Sequence, residues 1–149
     1  MRKIIAGILW GGTVLSLPVN VAAYERQCPQ TIEVTQSEAQ ELMQIVWCEA
    51  GNQGITGQLL VMSVILNRVA SPDFPDDVHS VIHQDHQFAT SGMNKAEITP
   101  ETHYALAELE AGNKYPEIVA FETTNNDALD VYFSEAFTYK DHCFYTSKQ

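Results

Sequence analysis

Ala39, Leu42, Met43, Val46, Trp47 and Ala50 recur at the spacing of one helical face. Ahead of them, Thr35-Gln-Ser-Glu38 has the form of a capping box, with a hydroxyl and a carboxylate three residues apart to satisfy free amides. Gly51 behind them is a natural terminator. The pattern predicts an amphipathic helix over residues 36–50. The next segment, capped from Thr56 and running to about Ala70, differs in kind. Leu59, Leu60, Val61, Met62, Val64, Ile65, Leu66 and Val69 wrap most of its circumference. A helix apolar nearly all round is buried at the centre of a domain.

Pro72 and Pro75 then bracket a loop, and Asp76 or Asp77 starts a shorter helix through Val78, Val81 and Ile82. Residues 88–98 read as surface loop. Thr99-Pro100-Glu101 opens a further helix, with a capping hydroxyl, proline at the first position and an acid near the positive dipole end. That helix ends near Gly112. Beyond it the pattern changes to short aromatic or β-branched runs: Ile118-Val-Ala-Phe-Glu-Thr, Val131-Tyr-Phe and Cys143-Phe-Tyr-Thr, with Asn125-Asn126-Asp127 marking a turn. There is no internal repeat. Helices followed by a few strands predict an α+β fold, mainly helical with a small antiparallel sheet from the C-terminal strands.

The N-terminus lies apart from this pattern. Arg2 and Lys3 precede an apolar run from Ile4 to Leu17, Pro18 breaks it, and Val21-Ala22-Ala23 supplies small residues for cleavage. The run is shorter than the ~20 residues that span a bilayer, so residues 1–23 read as a secretory signal peptide. Residues 24–35 form a polar lead-in and 36–149 the folded domain. The expected product is an exported monomer without a stable membrane anchor, in the periplasm or outside the cell.

The chain of 149 residues suits one domain with a proper core. Removing Arg2 and Lys3 takes the formal charge from −11 to −13. A surface of that sign repels nucleic acid backbones and excludes a nucleic-acid partner. Cys28, Cys48 and Cys143 make an odd count, which in an exported protein suggests one disulfide and a spare thiol. A Cys28–Cys143 bridge would staple the two ends of the domain. Cys48 reads as a small core residue.

One carboxylate stands out. Glu49 is the only acidic residue between Leu42 and Pro72. It sits about 90° from the centre of its helix's apolar face, in the last turn. Partial burial and the negative end of the helix dipole both disfavour its charged form. A glutamic acid kept neutral near pH 7 can serve as a general acid. The bland alternative is an acid that merely solvates a helix edge.

Glu49-Ala50, Gly57-Gln58, Val64-Ile-Leu-Asn-Arg-Val69, Ser71-Pro72, Phe74-Pro75, Val81-Ile82 and Gln87-Phe88 together resemble the SleB-type cell wall hydrolases. The family pattern reads E-A-R-G-E-x-x-E-G-Q, then L-N-R-V, S-P-x-F-P, V-I-x-Q and Q-F, and aligns without a gap. His142-Cys-Phe-Tyr145 resembles its H-x-F-Y close. The resemblance implies a lysozyme-like α+β domain. It also implies peptidoglycan cleavage between N-acetylmuramic acid and N-acetylglucosamine, as a lytic transglycosylase or muramidase, with Glu49 as the single catalytic acid/base. The chain departs from the pattern at Gly51, Gln53 and Thr56, where the family carries an arginine and two acids. Those losses motivate the alternative of a non-catalytic peptidoglycan-binding or wall-assembly factor.

Gln58, Gln87, Phe88 and Tyr145 are the candidate substrate-binding residues, amides and aromatic faces being suited to glycans. Gln58 is also assigned, with Asn67 and Arg68, to fixing the glycine loop and the ends of the central helix. Glu122 and Asp130 are spare carboxylates for a water-dependent reaction. His79, His83 and His86, with Asp76, Asp77 and Asp85 nearby, invite zinc. They read instead as solvated surface histidines, and neither metal nor cofactor is expected.

Overall fold

A computed structural model describes residues 32–148. The expected signal peptide and Cys28 lie outside these residues. The first helix, α1 (Gln36–Ala50), opens on the expected capping box. The Thr35 hydroxyl accepts from the Glu38 N–H at 3.3 Å, and Glu38 Oε2 accepts from the Thr35 N–H at 2.8 Å. Leu42, Met43, Val46 and Ala50 are buried, joined by Ile45; Ala39 and Trp47 are half-buried.

The central helix, α2 (Gly54–Ala70), starts two residues before Thr56, and its N-cap Gln53 makes no side-chain capping bond. Nor does Gly51 reverse the chain, since it keeps right-handed angles (φ −57°). The left-handed turn falls on Gly54 (φ +72°), a conformation that glycine adopts without steric cost. Every residue of α2 from Gly57 to Arg68 is buried. Of its buried polar side chains, Ser63, Asn67 and Arg68 are bonded to neighbouring backbone, whereas Gln58 Oε1 is buried without a partner. The Ser63 hydroxyl donates to Leu59 O and accepts from the Tyr115 N–H at 3.0 Å. Asn67 Nδ2 donates to Tyr115 O and Ile118 O at 2.9 and 2.8 Å. These bonds attach the chain entering the sheet to the helix.

Helix α3 (Val78–Ile82) is capped by Asp77, and α4 (Pro100–Glu110) by Thr99, with left-handed Gly112 beyond its end. The segment 88–98 is not simply surface loop. Thr90–Lys95 forms a 3₁₀ helix that packs on α1 through buried Met93. So short an element has no periodicity for a pattern to detect. The lead-in also differs from expectation at its end, where Ile32 and Val34 pack against the core and the Ile32 N–H donates to Glu110 O.

Strands β1 (Ile118–Thr123), β2 (Phe133–Tyr139) and β3 (His142–Ser147) form an antiparallel sheet in the order β1-β3-β2, completing the α+β fold. The expected strand at Val131 begins instead at Phe133, because Val131 and Tyr132 are exposed turn residues. Phe121, Phe144 and Phe137 lie in register across the three strands and face the helices. Ala120, Cys143 and Tyr145 form a second small cluster with Leu129 and Phe133. Cys48 and Cys143 are not bonded to each other.

Candidate active site

Glu49 occupies the last turn of α1, half-buried. Its Oε1 accepts a hydrogen bond from the Ala89 N–H at 2.5 Å. Burial raises its pKa above the ordinary glutamate value, and the Ala89 bond acts in the opposite direction. Among the described residues the sole ion pair joins His79 to Glu41, so no cation neutralises Glu49. The adjacent Cys48 thiol is pushed up by burial and by the Glu49 charge, which keeps it a poor nucleophile.

The loop after Glu49 is held by the tip of the β2–β3 hairpin. Gln53, buried although polar, donates from Nε2 to Asp141 Oδ2 at 3.0 Å and accepts from the Asp141 N–H. Lys140 Nζ donates to Gln53 O at 2.6 Å. One turn into α2, a Cβ on Gly57 would stand 2.3 Å from the Gln53 Cβ and 3.3 Å from the Tyr139 ring, so glycine makes room first for the Gln53 side chain and then for the hairpin. The departure at Gln53 thus has a local cause, since a carboxylate there would face Asp141. Gln53→Glu is expected to destabilise the fold by about 1–3 kcal/mol at neutral pH, with part of the loss recovered as pH falls. Thermal melts at pH 4 and pH 7 check it. The departure at Gly51 is also constrained: a Cβ there would lie 2.6 Å from Trp47 O.

The segment that ends at the Ala89 amide begins at Gln87 in the wall of a cleft of about 500 Å³, lined by Arg68, Phe74, Phe121, Glu122 and Tyr132 among others; Glu49 and Phe88 are not among its lining residues. Arg68 is buried and its pKa is pushed down to about 10 by that burial, which leaves it charged at neutral pH. Its Nε donates to Val119 O at 2.6 Å and Nη1 to Gln87 Oε1 at 3.0 Å. The guanidinium lies 4.9 and 5.3 Å from the Phe74 and Phe88 ring centroids.

The four candidate binding residues are placed unequally. Gln87 is exposed in the cleft wall, and Phe88 is half-buried against the core. Gln58 (1 % exposed) and Tyr145 (2 %) have no open face. The Tyr145 hydroxyl donates to Glu122 Oε1 at 2.7 Å, and Glu122 Oε2 is buried without a partner. His142 is buried beside Phe121 and Phe144, and burial lowers its pKa, so it is neutral at pH 7. Asp130 Oδ atoms take no part; only its carbonyl accepts, from Lys148. Ala89 and the Gln53–Asp141 pair were not legible as site residues, because an alanine amide and contacts across 88 residues carry no local signal.

The sequence profile of the Cell Wall Hydrolase family matches residues 52–145, more than half of the chain. The chain belongs to the cell wall hydrolase family. The match begins just after Glu49 and does not include that carboxylate. This hydrolase is 36% identical over 77 residues to a spore cortex-lytic enzyme of Halalkalibacterium halodurans, covering 52% of the chain and 23% of that protein. It is 33% identical over 79 residues to a spore cortex-lytic enzyme of Bacillus cereus, covering 53% and 30%. The matches therefore span less than a third of either relative's length. Among solved structures, its fold is similar to the catalytic domain of the germination-specific lytic transglycosylase SleB from Bacillus anthracis. The TM-score is 0.62 at 24% identity, covering 76% of this chain and 97% of that one. The catalytic domain of Bacillus cereus SleB gives 0.63 at 24% identity, covering 76% and 93%.

Proposed function

We propose that this cell wall hydrolase cleaves peptidoglycan glycan strands between N-acetylmuramic acid and N-acetylglucosamine, as a lytic transglycosylase with Glu49 as its one acid/base. The observation that carries the reading is a half-buried carboxylate at a helix end, held by one backbone N–H and, among the described residues, unpaired with any cation. The curated relatives are named for lysis of spore cortex and a structural relative for lytic transglycosylation, which supports a glycan substrate.

The chemistry needs only this group. Neutral Glu49 gives its proton to the glycosidic oxygen as the C1–O bond breaks, and the muramic N-acetyl oxygen stabilises the cationic carbon. The resulting carboxylate then removes the proton of the sugar's 6-hydroxyl, whose oxygen bonds to C1. Glu49 ends as it began, no water is consumed, and the product carries a 1,6-anhydro ring. The Ala89 N–H suits the first half, because it stabilises the carboxylate as it forms. Gln87 offers its amide and Phe88 its ring to the strand. Tyr145 acts through Glu122, which its hydroxyl holds, and Gln58, enclosed in the core, does not touch the strand. Such a substrate requires action in the cell envelope or outside the cell, which agrees with the signal peptide expected from the sequence of residues 1–23.

Mass spectrometry of digested sacculi tests the reading. Anhydro-muropeptides are expected, one water lighter than the reducing-end products of a muramidase. The departures at Gly51 and Gln53 favour one rival, a wall-binding or assembly factor. Purified sacculi decide between the two: a binder co-sediments with them and never clears their turbidity.

A further inference from the structure

The surface between α1 and α3 carries a second set of chemistry-bearing side chains, distinct from the Glu49 site. His79 and His83 are four residues apart on and just after α3, which puts both rings on one face. Their centroids are 4.3 Å apart. Glu41, from the middle of α1, reaches the same point, with Oε1 2.8 Å from His79 Nδ1. One ligating atom from each of the three residues lies within 4.8 Å of the other two.

We propose that Glu41, His79 and His83 form a binding site for a divalent transition-metal ion of borderline softness, such as Zn²⁺, which clamps α3 to α1. Two imidazoles and a carboxylate are the donor set such ions prefer. Donors on a tetrahedral ion with bonds of about 2.0–2.1 Å stand about 3.3 Å apart. The Glu41–His79 pair has to open by a fraction of an ångström, and the widest pair has to close by up to about 1.5 Å. Both adjustments lie within the reach of exposed side chains. The frame beneath them is rigid, since Val78, Val81 and Ile82 anchor α3 in the core and the Asp77 side chain caps it, accepting from the Ser80 N–H at 2.7 Å. With three protein donors, the remaining coordination positions are filled by water. Glu41 precedes Glu49 by two helical turns, about 12 Å along α1. The ion is therefore a brace for the scaffold and not a participant in cleavage.

The test uses the full chain, stripped with a chelator and then titrated with Zn²⁺ by calorimetry, and with Co²⁺ by visible absorption. The expected result is saturable binding of one ion with a dissociation constant below about 10 µM. A visible Co²⁺ band with tetrahedral or five-coordinate intensity should accompany it. Glu41→Gln, His79→Ala and His83→Ala should each weaken Zn²⁺ binding at least tenfold, and the double variant H79A/H83A should abolish it. At saturating Zn²⁺ the melting temperature of the parent chain should rise, and that of the double variant should not. Both histidines are exposed, so the metal-free double variant should melt within about 2 °C of the parent. Clearing of sacculi should survive chelation. Absence of saturable binding up to 100 µM Zn²⁺ overturns the proposal, leaving a plain His79–Glu41 ion pair. Binding that H79A/H83A leaves intact overturns it equally, by placing the ion elsewhere.

Discussion

Glu49→Gln is expected to lower the rate of glycan cleavage by on the order of 10²–10⁴-fold, the usual contribution of a general acid/base, while the chain stays folded. The amide has the same shape and keeps an oxygen to accept from the Ala89 N–H, but it has no proton to give at neutral pH. Stability should respond in the opposite sense to activity. Burial raises the folded-state pKa of Glu49, so the folded chain holds this proton to higher pH than the unfolded chain does. The stability tied to that proton is fully present below the ordinary glutamate range and is lost as pH rises through the raised value. Glutamine incurs no such loss. The melting temperature of E49Q relative to the parent should therefore climb between pH 4 and pH 7, ending equal or higher. Glu49→Ala should melt lower than E49Q at every pH, because it leaves the Ala89 amide without its acceptor. A large drop in the melting temperature of E49Q near pH 7 would show that the carboxylate serves the fold.

Arg68→Ala should produce the largest change in stability, a loss of about 2–4 kcal/mol measured by urea denaturation. The substitution empties the space between the Phe74 and Phe88 rings. It also strips Val119 O and Gln87 Oε1 of their donors. Arg68→Met should recover part of the loss, since it refills the volume and removes a charge that burial disfavours. It cannot recover all of it, because the two acceptors stay unpaired. Arg68 has its pKa pushed down to about 10, still above the working range, so the cost of R68A should be flat from pH 5 to pH 9. Cleavage should fall along with stability, since Gln87 and the chain leading to Ala89 lose their tie to α2.

Much of the scaffold was legible because short-range physics sets it. The Thr35–Glu38 box, the proline at the start of α4 and the unbroken apolar surface of α2 are local arrangements that leave few alternatives. Where expectation slipped, a local pattern met a competing tertiary one. Thr56 has the chemistry of a cap, yet α2 begins at Gly54, because Gln53 is committed to the hairpin tip and the left-handed turn comes at Gly54. The run at Val131 looks like a strand, but its side chains have no sheet neighbour until Phe133 pairs with Ser147.

Of the site, the sequence by itself determined that a lone acid would stand at the shoulder of an amphipathic helix, followed by a glycine-bearing loop. Helical geometry over fifteen residues suffices for that. Only the tertiary structure decided what surrounds the acid. The Ala89 amide reaches Glu49 across 40 residues, Gln53 meets Asp141 across 88, and Glu41 meets His79 across 38. It also decided that Gln58 and Tyr145 are enclosed while Gln87 is open. Periodicity says which side of an element is apolar; only the packing of elements against one another says which polar groups end up within 3 Å.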